Sequence, residues 1–322
     1  MTAEAPGPTT AGSTTTSGST TTPAIDIDHL REWNGRTLVT HDVATASKST
    51  GLAATLDHAG DPWDGHLMPV AHWLQFNPDA RQSDLGVDGH PHKGGFLPPV
   101  PLPRRMWAGS DVTFHRPIAV GESLREVQTI ENTVHKSGKS GELVFLTVRH
   151  EVFASDDLAT TDVQTIVYKE DSGATAPAQS VADRLAMEPA DTSDWEWAHH
   201  VRPDPTMLLR YSALTFNAHR IHYDRDYAIG EEGYPGLVVH GPLSATYMVD
   251  AFMRAHPGVT PRTFRFSARS PLFDHMPVAY VGRAAATEEG TTETDAAEAP
   301  ATYELATLGP DGRVCLTGTL TA

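Results

Sequence analysis

Short segments in which apolar and polar residues alternate dominate the chain, and alternation with period two predicts half-buried strands. "GELVFLTVRHEVF" (residues 141–153) reads as one long strand, "ASDDLATTD" as a connection and "VQTIVYKE" as a second strand. Near the C-terminus "ATYELATL", "GPDG" and "RVCLTGTL" repeat the scheme, with Asp311-Gly312 supplying the positive φ that a hairpin turn needs. Upstream of each pair, "VTFHRPIAVGESL" and "FRFSARSPLFDHMPVAYVG" both run from an alternating strand through a proline into another strand. Pro117 and Pro271 are 154 positions apart, about half of the 322-residue chain. The pattern predicts two similar halves, residues 25–172 and 189–322, joined by a linker over 173–188.

One helix is well marked. In "PLSATYMVDAFMRAHPG", Leu243, Tyr247, Met248, Ala251, Phe252 and Ala255 recur at three- and four-residue intervals, making an apolar stripe. Pro242 suits the first turn and Pro257-Gly258 the stop. "HLMPVAHWLQF" (residues 66–76) is its weaker counterpart in the first half. One buried helix beside an antiparallel sheet, made twice, is an α+β layout.

Composition narrows the function. Residues 1–24 are rich in Thr, Ser, Gly and Pro, so this stretch cannot offset its chain entropy and is expected to be a disordered tail. It has neither the basic start and apolar run of a secretory signal nor the arginines of a transit peptide, and no run approaches a membrane span. One cysteine, Cys315, rules out an internal disulfide. A cytoplasmic protein is expected. The net charge of −17 argues against nucleic-acid binding. An anionic small ligand remains compatible if Lys93, Arg104, Arg105, Arg210 or Arg220 gather locally. "AAATEEGTTETDAAEAPA" (residues 284–301) reads as an acidic, solvated loop.

The chemistry concentrates in "YSALTFNAHRIHYDRDYA", residues 211–228, followed by "GYPGLVVHGPL", residues 233–243. His219 and His222 are three apart, but no further metal-ligand spacing accompanies them, so no metal is expected. Ser244 is not in a nucleophile elbow, and "GKSGE" lacks phosphate-loop spacing. What remains is acid–base chemistry at a helix start. His222 can move a proton, and His240-Gly241 opens the marked helix, where free N–H groups favour a developing oxyanion. Taken by themselves, the residues leave a structural histidine and an ordinary helix start open as the alternative.

The stretch resembles the signature of MaoC-like (R)-specific enoyl-CoA hydratases of the hotdog fold. In that pattern an aspartate precedes a histidine by five residues, and a His-Gly pair opens the central helix about eighteen residues later. The matching positions here are Asn217, His222 and His240-Gly241, with nineteen residues from His222 to Gly241. Residues 94–122 and "SGELVFLTVRHE" are similar to the first half of double-hotdog dehydratases. That group includes 3-methylfumaryl-CoA (mesaconyl-CoA) and itaconyl-CoA hydratases and type 2 hydroxyacyl-thioester dehydratases.

The resemblance implies a double hotdog, each half a sheet wrapped around one helix, with the single active site in the second half and the first as scaffold and acyl-group cover. It implies water addition to an acyl-CoA thioester, dicarboxylyl by preference and fatty-acyl second, without a cofactor. His222 would act as base, Asn217 would orient the water and the Gly241 N–H would face the thioester oxygen. The chain departs from the pattern at Asn217, whose amide cannot accept a proton at neutral pH. His240 and His219 are candidates for substrate contact or structural support. Arg210 and Arg220 are candidates for a substrate carboxylate, and Arg104 and Arg105 for CoA phosphates. Asp224 is expected to cap the "RDYA" turn. Tyr211 and Phe216 are expected in the core or the acyl pocket. A homodimer is an added expectation. A hotdog thioesterase and a non-catalytic acyl-CoA binding protein are the competing classes.

Overall fold

A computed structural model describes residues 24–138, 141–170, 177, 179–286 and 300–322. The expected tail, apart from Ala24, and most of the expected acidic loop lie outside the described residues. Five strands come from the first half: β1 (Thr37–Val43), β2 (Arg104–Phe114), β3 (Ser123–Gly138), β4 (Gly141–Ala154) and β5 (Asp157–Lys169). Five come from the second: β6 (Trp197–Val201), β7 (Thr263–Ala268), β8 (Val278–Ala284), β9 (Thr302–Leu308) and β10 (Val314–Thr321). They form one antiparallel sheet in the order β1-β3-β4-β5-β2-β7-β10-β9-β8-β6. The second set repeats the order of the first, reflected about the central β2–β7 pair. This is the repeat that the prolines at 117 and 271 signalled. Gly109 permits the join, since a Cβ there would lie 2.4 Å from the Phe266 carbonyl oxygen.

The helices are α1 (Ile27–Arg31), α2 (Ala46–Thr55), α3 (Val181–Leu185), α4 (Pro205–Thr215), α5 (Arg225–Gly230) and α6 (Gly241–Ala255). The expected helix is α6, but its burial differs from a stripe. Every residue from Leu243 to Phe252 is buried, Ser244, Thr246 and Asp250 included. The sheet covers one side, and α2 and α4 with the residues around Trp63 contribute to the same core. Asp250 tolerates this because His58 Nε2 lies 2.6 Å away and Arg254 donates to it at 2.7 Å. Each large apolar side chain buried here stabilises the fold by about 1.5–3 kcal/mol.

Two expectations change. Residues 66–76 do not form a second long helix. Val70 adopts φ 70°, and only a 3-10 turn over Ala71–Leu74 follows. Pro69 biases Met68 away from helical angles, and a left-handed valine breaks the run. The first-half helix is α2, which lacks a strong apolar stripe and packs on α4. The connection read at residues 154–162 is also mostly strand. Ser155 and Asp156, at φ 49° and 72°, make a two-residue turn, and β5 begins at once. No helix among the described residues is long and apolar enough to cross a membrane.

Candidate active site

Local chain chemistry sets the histidine segment. Asp204 caps α4 and Pro205 starts it, and the helix stops where Phe216 turns left-handed at φ 49°. The Asn217 N–H then donates to the Ser212 carbonyl at 2.9 Å, while Asn217 Oδ1 accepts the His219 N–H at 2.9 Å. Asn217 is therefore tied to the backbone of its own turn. The next residues, Arg220–His222, make a 3-10 turn, and Asp224 caps α5 by accepting from the Tyr227 N–H at 3.1 Å, as expected.

The strand-like stretch before α6 is held by a buried ion network. Arg184, from α3 in the linker, is fully buried; it donates to the Asp274 carbonyl at 2.8 Å and the Pro235 carbonyl at 2.9 Å. Asp274 in turn accepts the Leu237 N–H at 2.9 Å and pairs with Arg225 at 2.5 Å. A Cβ at Gly236 would lie 2.7 Å from Asp274 Oδ1, so only glycine lets the chain pass the network.

This framing fixes His222. Its Nδ1 lies 2.7 Å from the Val238 carbonyl oxygen, which can only accept, so Nδ1 carries the hydrogen. Nε2 is left as the basic nitrogen. The ring stacks on His240 with centroids 3.6 Å apart and planes 20° apart, which brings it to the mouth of α6. Burial, reinforced by the neighbouring His219, pushes the His222 pKa down to about 3. Burial likewise holds His240 well below the usual histidine range. His240 Nε2 lies 2.9 Å from Ser212 Oγ, whereas its Nδ1 is buried without a hydrogen-bond partner.

The start of α6 itself is open. Asp26, Thr45, Ser180, Asp204 and Asp224 cap the other five helices with their side chains, but no side chain caps α6. Its first N–H groups have no intrahelical partners. A Cβ on Gly241 would meet nothing within 4 Å except the Trp107 carbonyl oxygen at 3.9 Å. The chain's own packing therefore does not require glycine there.

The first half reaches into this site through residues 86–93, a contribution that the sequence reading missed. Asp88 O accepts the Arg220 N–H at 2.9 Å, and Gly89, at φ 89°, lies so close to Ala218 that a Cβ would sit 1.9 Å from its carbonyl oxygen. His90 lies over His219 with centroids 4.1 Å apart, and His219 meets His222 edge-on at 5.4 Å. Asp88 Oδ2 holds His90 Nδ1 at 3.0 Å, and this contact together with the Asp88–His90 N–H bond keeps the carboxyl far below its usual range despite desolvation. Burial first, and then the charge of His90, lower His219 to about 3. Asp88, His90 and His219 are also the group among the described residues whose ligating atoms lie within 4.8 Å of one another. Three donors suit an open metal site, but the Asp88–His90 hydrogen bond already explains two of them. The signal for this arm was "DGHPH", where an aspartate and a histidine two apart flank a glycine.

The arginines separate. Arg220 pairs with Asp224 at 2.7 Å, lies 4.1 Å from the centroid of Tyr227 and donates to the Val87 carbonyl at 3.0 Å. It fastens the first-half arm. Arg210 is exposed on α4, and its charge is felt at Tyr247 rather than at the histidines. Arg104 donates to the Glu232 carbonyl at 2.9 Å. Arg105 lines a cavity of about 330 Å³ together with His90, His92 and Lys93. Tyr211 is core, but Phe216 is 63% exposed and belongs to no core. A larger cleft of about 580 Å³ lies elsewhere, between residues 63–72 and 259–262, and does not include the stacked histidines.

A family model described as hydroxyacyl-thioester dehydratase type 2 matches residues 67–274. The chain is 41% identical over 290 residues to mesaconyl-C(4)-CoA hydratase of Chloroflexus aurantiacus, covering 89% of this chain and 96% of that one. Among solved structures, a MaoC-like dehydratase superposes with TM-score 0.63 at 14% identity, covering 91% of this chain and 99% of the other. A Mycobacterium tuberculosis protein described as a double hotdog superposes with TM-score 0.53 at 12% identity, covering 90% and 96%. The architecture is a double hotdog of the α+β class.

Proposed function

Because the chain belongs to the hydroxyacyl-thioester dehydratase type 2 family, we propose that it adds water reversibly across the α,β double bond of an acyl-CoA thioester, of the dicarboxylyl class. His222 Nε2 takes a proton from water, and the water oxygen bonds to the β-carbon as the double-bond electrons move toward the thioester. The thioester oxygen gains negative charge against the open N–H groups at Gly241. The proton then passes from the imidazolium to the α-carbon, and the double bond is consumed. The single observation that carries this reading is the His222 ring, its tautomer set by Val238, stacked at the uncapped start of α6.

A histidine near pKa 3 is neutral in the free protein across the physiological range. The imidazolium gains stability only as the enolate charge builds beside it, so stabilisation is concentrated in the transition state. Asn217, with Oδ1 already accepting one hydrogen bond, has a second lone pair and its NH₂ to orient the water. His240 backs the base by stacking, and His219 links it to the Asp88–His90 pair. We assign the CoA thioester the role of substrate, with no cofactor, and place the reaction in the cytoplasm on the composition of the chain.

The dicarboxylyl class is supported by the name of the Chloroflexus relative and by the cationic cavity beside His90. The test is incubation with mesaconyl-, itaconyl- and crotonyl-CoA. We expect loss of the conjugated enoyl absorbance without release of free thiol. Thiol release would instead identify a thioesterase, and binding without either change would identify a non-catalytic acyl-CoA protein.

A further inference from the structure

The cavity between residues 86–93 and the start of β2 is lined by Asp88, His90, His92, Lys93, Pro103 and Arg105, and His90 joins it to the histidine stack. Its charges are unbalanced. Arg105 makes no ion pair with any carboxylate among the described residues, and the burial of Lys93 first, then the charge of Arg105, push the Lys93 ammonium down. Lys93 is held in place by the Val100 carbonyl at 3.3 Å and by the Leu102 carbonyl. The carboxylate in the lining, Asp88, is already committed to His90, and Glu232 beyond it is paired with Arg104. Directly across the sheet from Arg105 is Tyr168, fully buried, with Lys93 5.5 Å from its ring centroid. Burial raises the Tyr168 hydroxyl pKa, and the charge of Arg105 and a hydrogen bond from its guanidinium partly offset that rise. A guanidinium without a carboxylate, beside a lysine in the same cavity, makes a place for an anion.

We propose that Arg105, supported by Lys93, binds the free carboxylate of a dicarboxylyl thioester and so sets the acyl specificity of the site. This rests on the hydratase reading above. Two sources could supply the anion, the acyl carboxylate or a CoA phosphate, and position favours the first. The cavity is two rings from the base, His222 to His219 at 5.4 Å and His219 to His90 at 4.1 Å. The phosphates of CoA are separated from the thioester by more than a dozen bonds of pantetheine, whereas the free carboxylate of a short dicarboxylyl group is within a few bonds of the reacting carbon.

The experiment compares the full-length wild type, Arg105→Gln and Arg105→Lys on mesaconyl-CoA and on the neutral crotonyl-CoA. The proposal expects Arg105→Gln to lose about 30- to 100-fold in kcat/KM on mesaconyl-CoA and less than threefold on crotonyl-CoA, with partial recovery in Arg105→Lys. Equal losses on both substrates would assign Arg105 to a CoA phosphate or to the scaffold and overturn it, as would no loss on either. Calorimetric binding of succinyl-CoA against butyryl-CoA provides a readout independent of turnover. Wild-type preference for succinyl-CoA, abolished by Arg105→Gln, supports the subsite even if no enoyl thioester is hydrated, an outcome that would fail the hydratase reading alone. Absence of that preference overturns the subsite.

Discussion

Gly89→Ala probes the seam between the first-half arm and the histidine turn. The new Cβ would lie 1.9 Å from the Ala218 carbonyl oxygen and 2.8 Å from its carbon, both backbone atoms. One chain must therefore retreat by about 1 Å or more, since heavy atoms repel steeply inside contact distance. Alanine at φ 89° adds left-handed strain of about 1–2 kcal/mol, and overpacking about 1–3 kcal/mol. The expected loss is about 2–5 kcal/mol, or roughly 3–8 °C in melting temperature for a chain of this size. Gly60→Ala isolates the conformational part, because Gly60 also has positive φ, 74°, but nothing within 4 Å. Thermal melts of the two variants and the wild type give the steric part by difference. If the arm lets go locally instead, the melting temperature falls less but His90 leaves His219, and kcat/KM drops. A Gly89→Ala protein that melts no lower than Gly60→Ala and retains wild-type turnover would refute the seam as described.

Gly241→Ala meets only the Trp107 carbonyl oxygen, at 3.9 Å, so it should fold with a melting temperature close to wild type while turnover falls about 10- to 100-fold as the methyl group screens the helix start. Full activity in that variant would remove the helix start from the mechanism. Stability should decline as pH falls below about 6.5, because the unfolded chain then binds protons that His222, at about 3, does not. By pH 5 this difference amounts to about 2 kcal/mol from His222 alone, and His219 and His240 act in the same direction. Denaturant midpoints at pH 8, 6 and 5 measure it, and His222→Gln must flatten the slope; an unchanged slope would place the ring in solvent. Exhaustive chelation should leave hydration intact, since the mechanism assigns Asp88, His90 and His219 no ion; loss of activity restored by a divalent cation would reassign them.

The strands, the repeat and α6 were legible because their signals are local. Period-two alternation, two prolines in equivalent turns and a proline-to-glycine frame around an apolar stripe each reside in a few consecutive residues. The candidate site was legible only on the second-half side. His222, Asn217 and Gly241 lie within one stretch, and so does the Asp224 cap. Asp88 and His90 are more than 125 positions away from His219, and nothing in "DGHPH" indicates which turn it will cover. The close approach of Gly89 to Ala218 that joins them is a tertiary fact. Arg104 and Arg105 illustrate the same limit. They alternate across one strand, so adjacent identical charges meet different surroundings: Glu232 for the first, the cavity for the second. The helix expected at residues 66–76 failed where Val70 took a left-handed angle that propensity disfavours.

The most direct test of the central claim is the hydration rate of His222→Gln and His222→Ala on the best enoyl-CoA substrate, with folding checked by circular dichroism. Loss of the basic Nε2 of His222 should lower kcat by about 10³-fold or more. Folded variants retaining a rate within tenfold of wild type would contradict the assignment of the base.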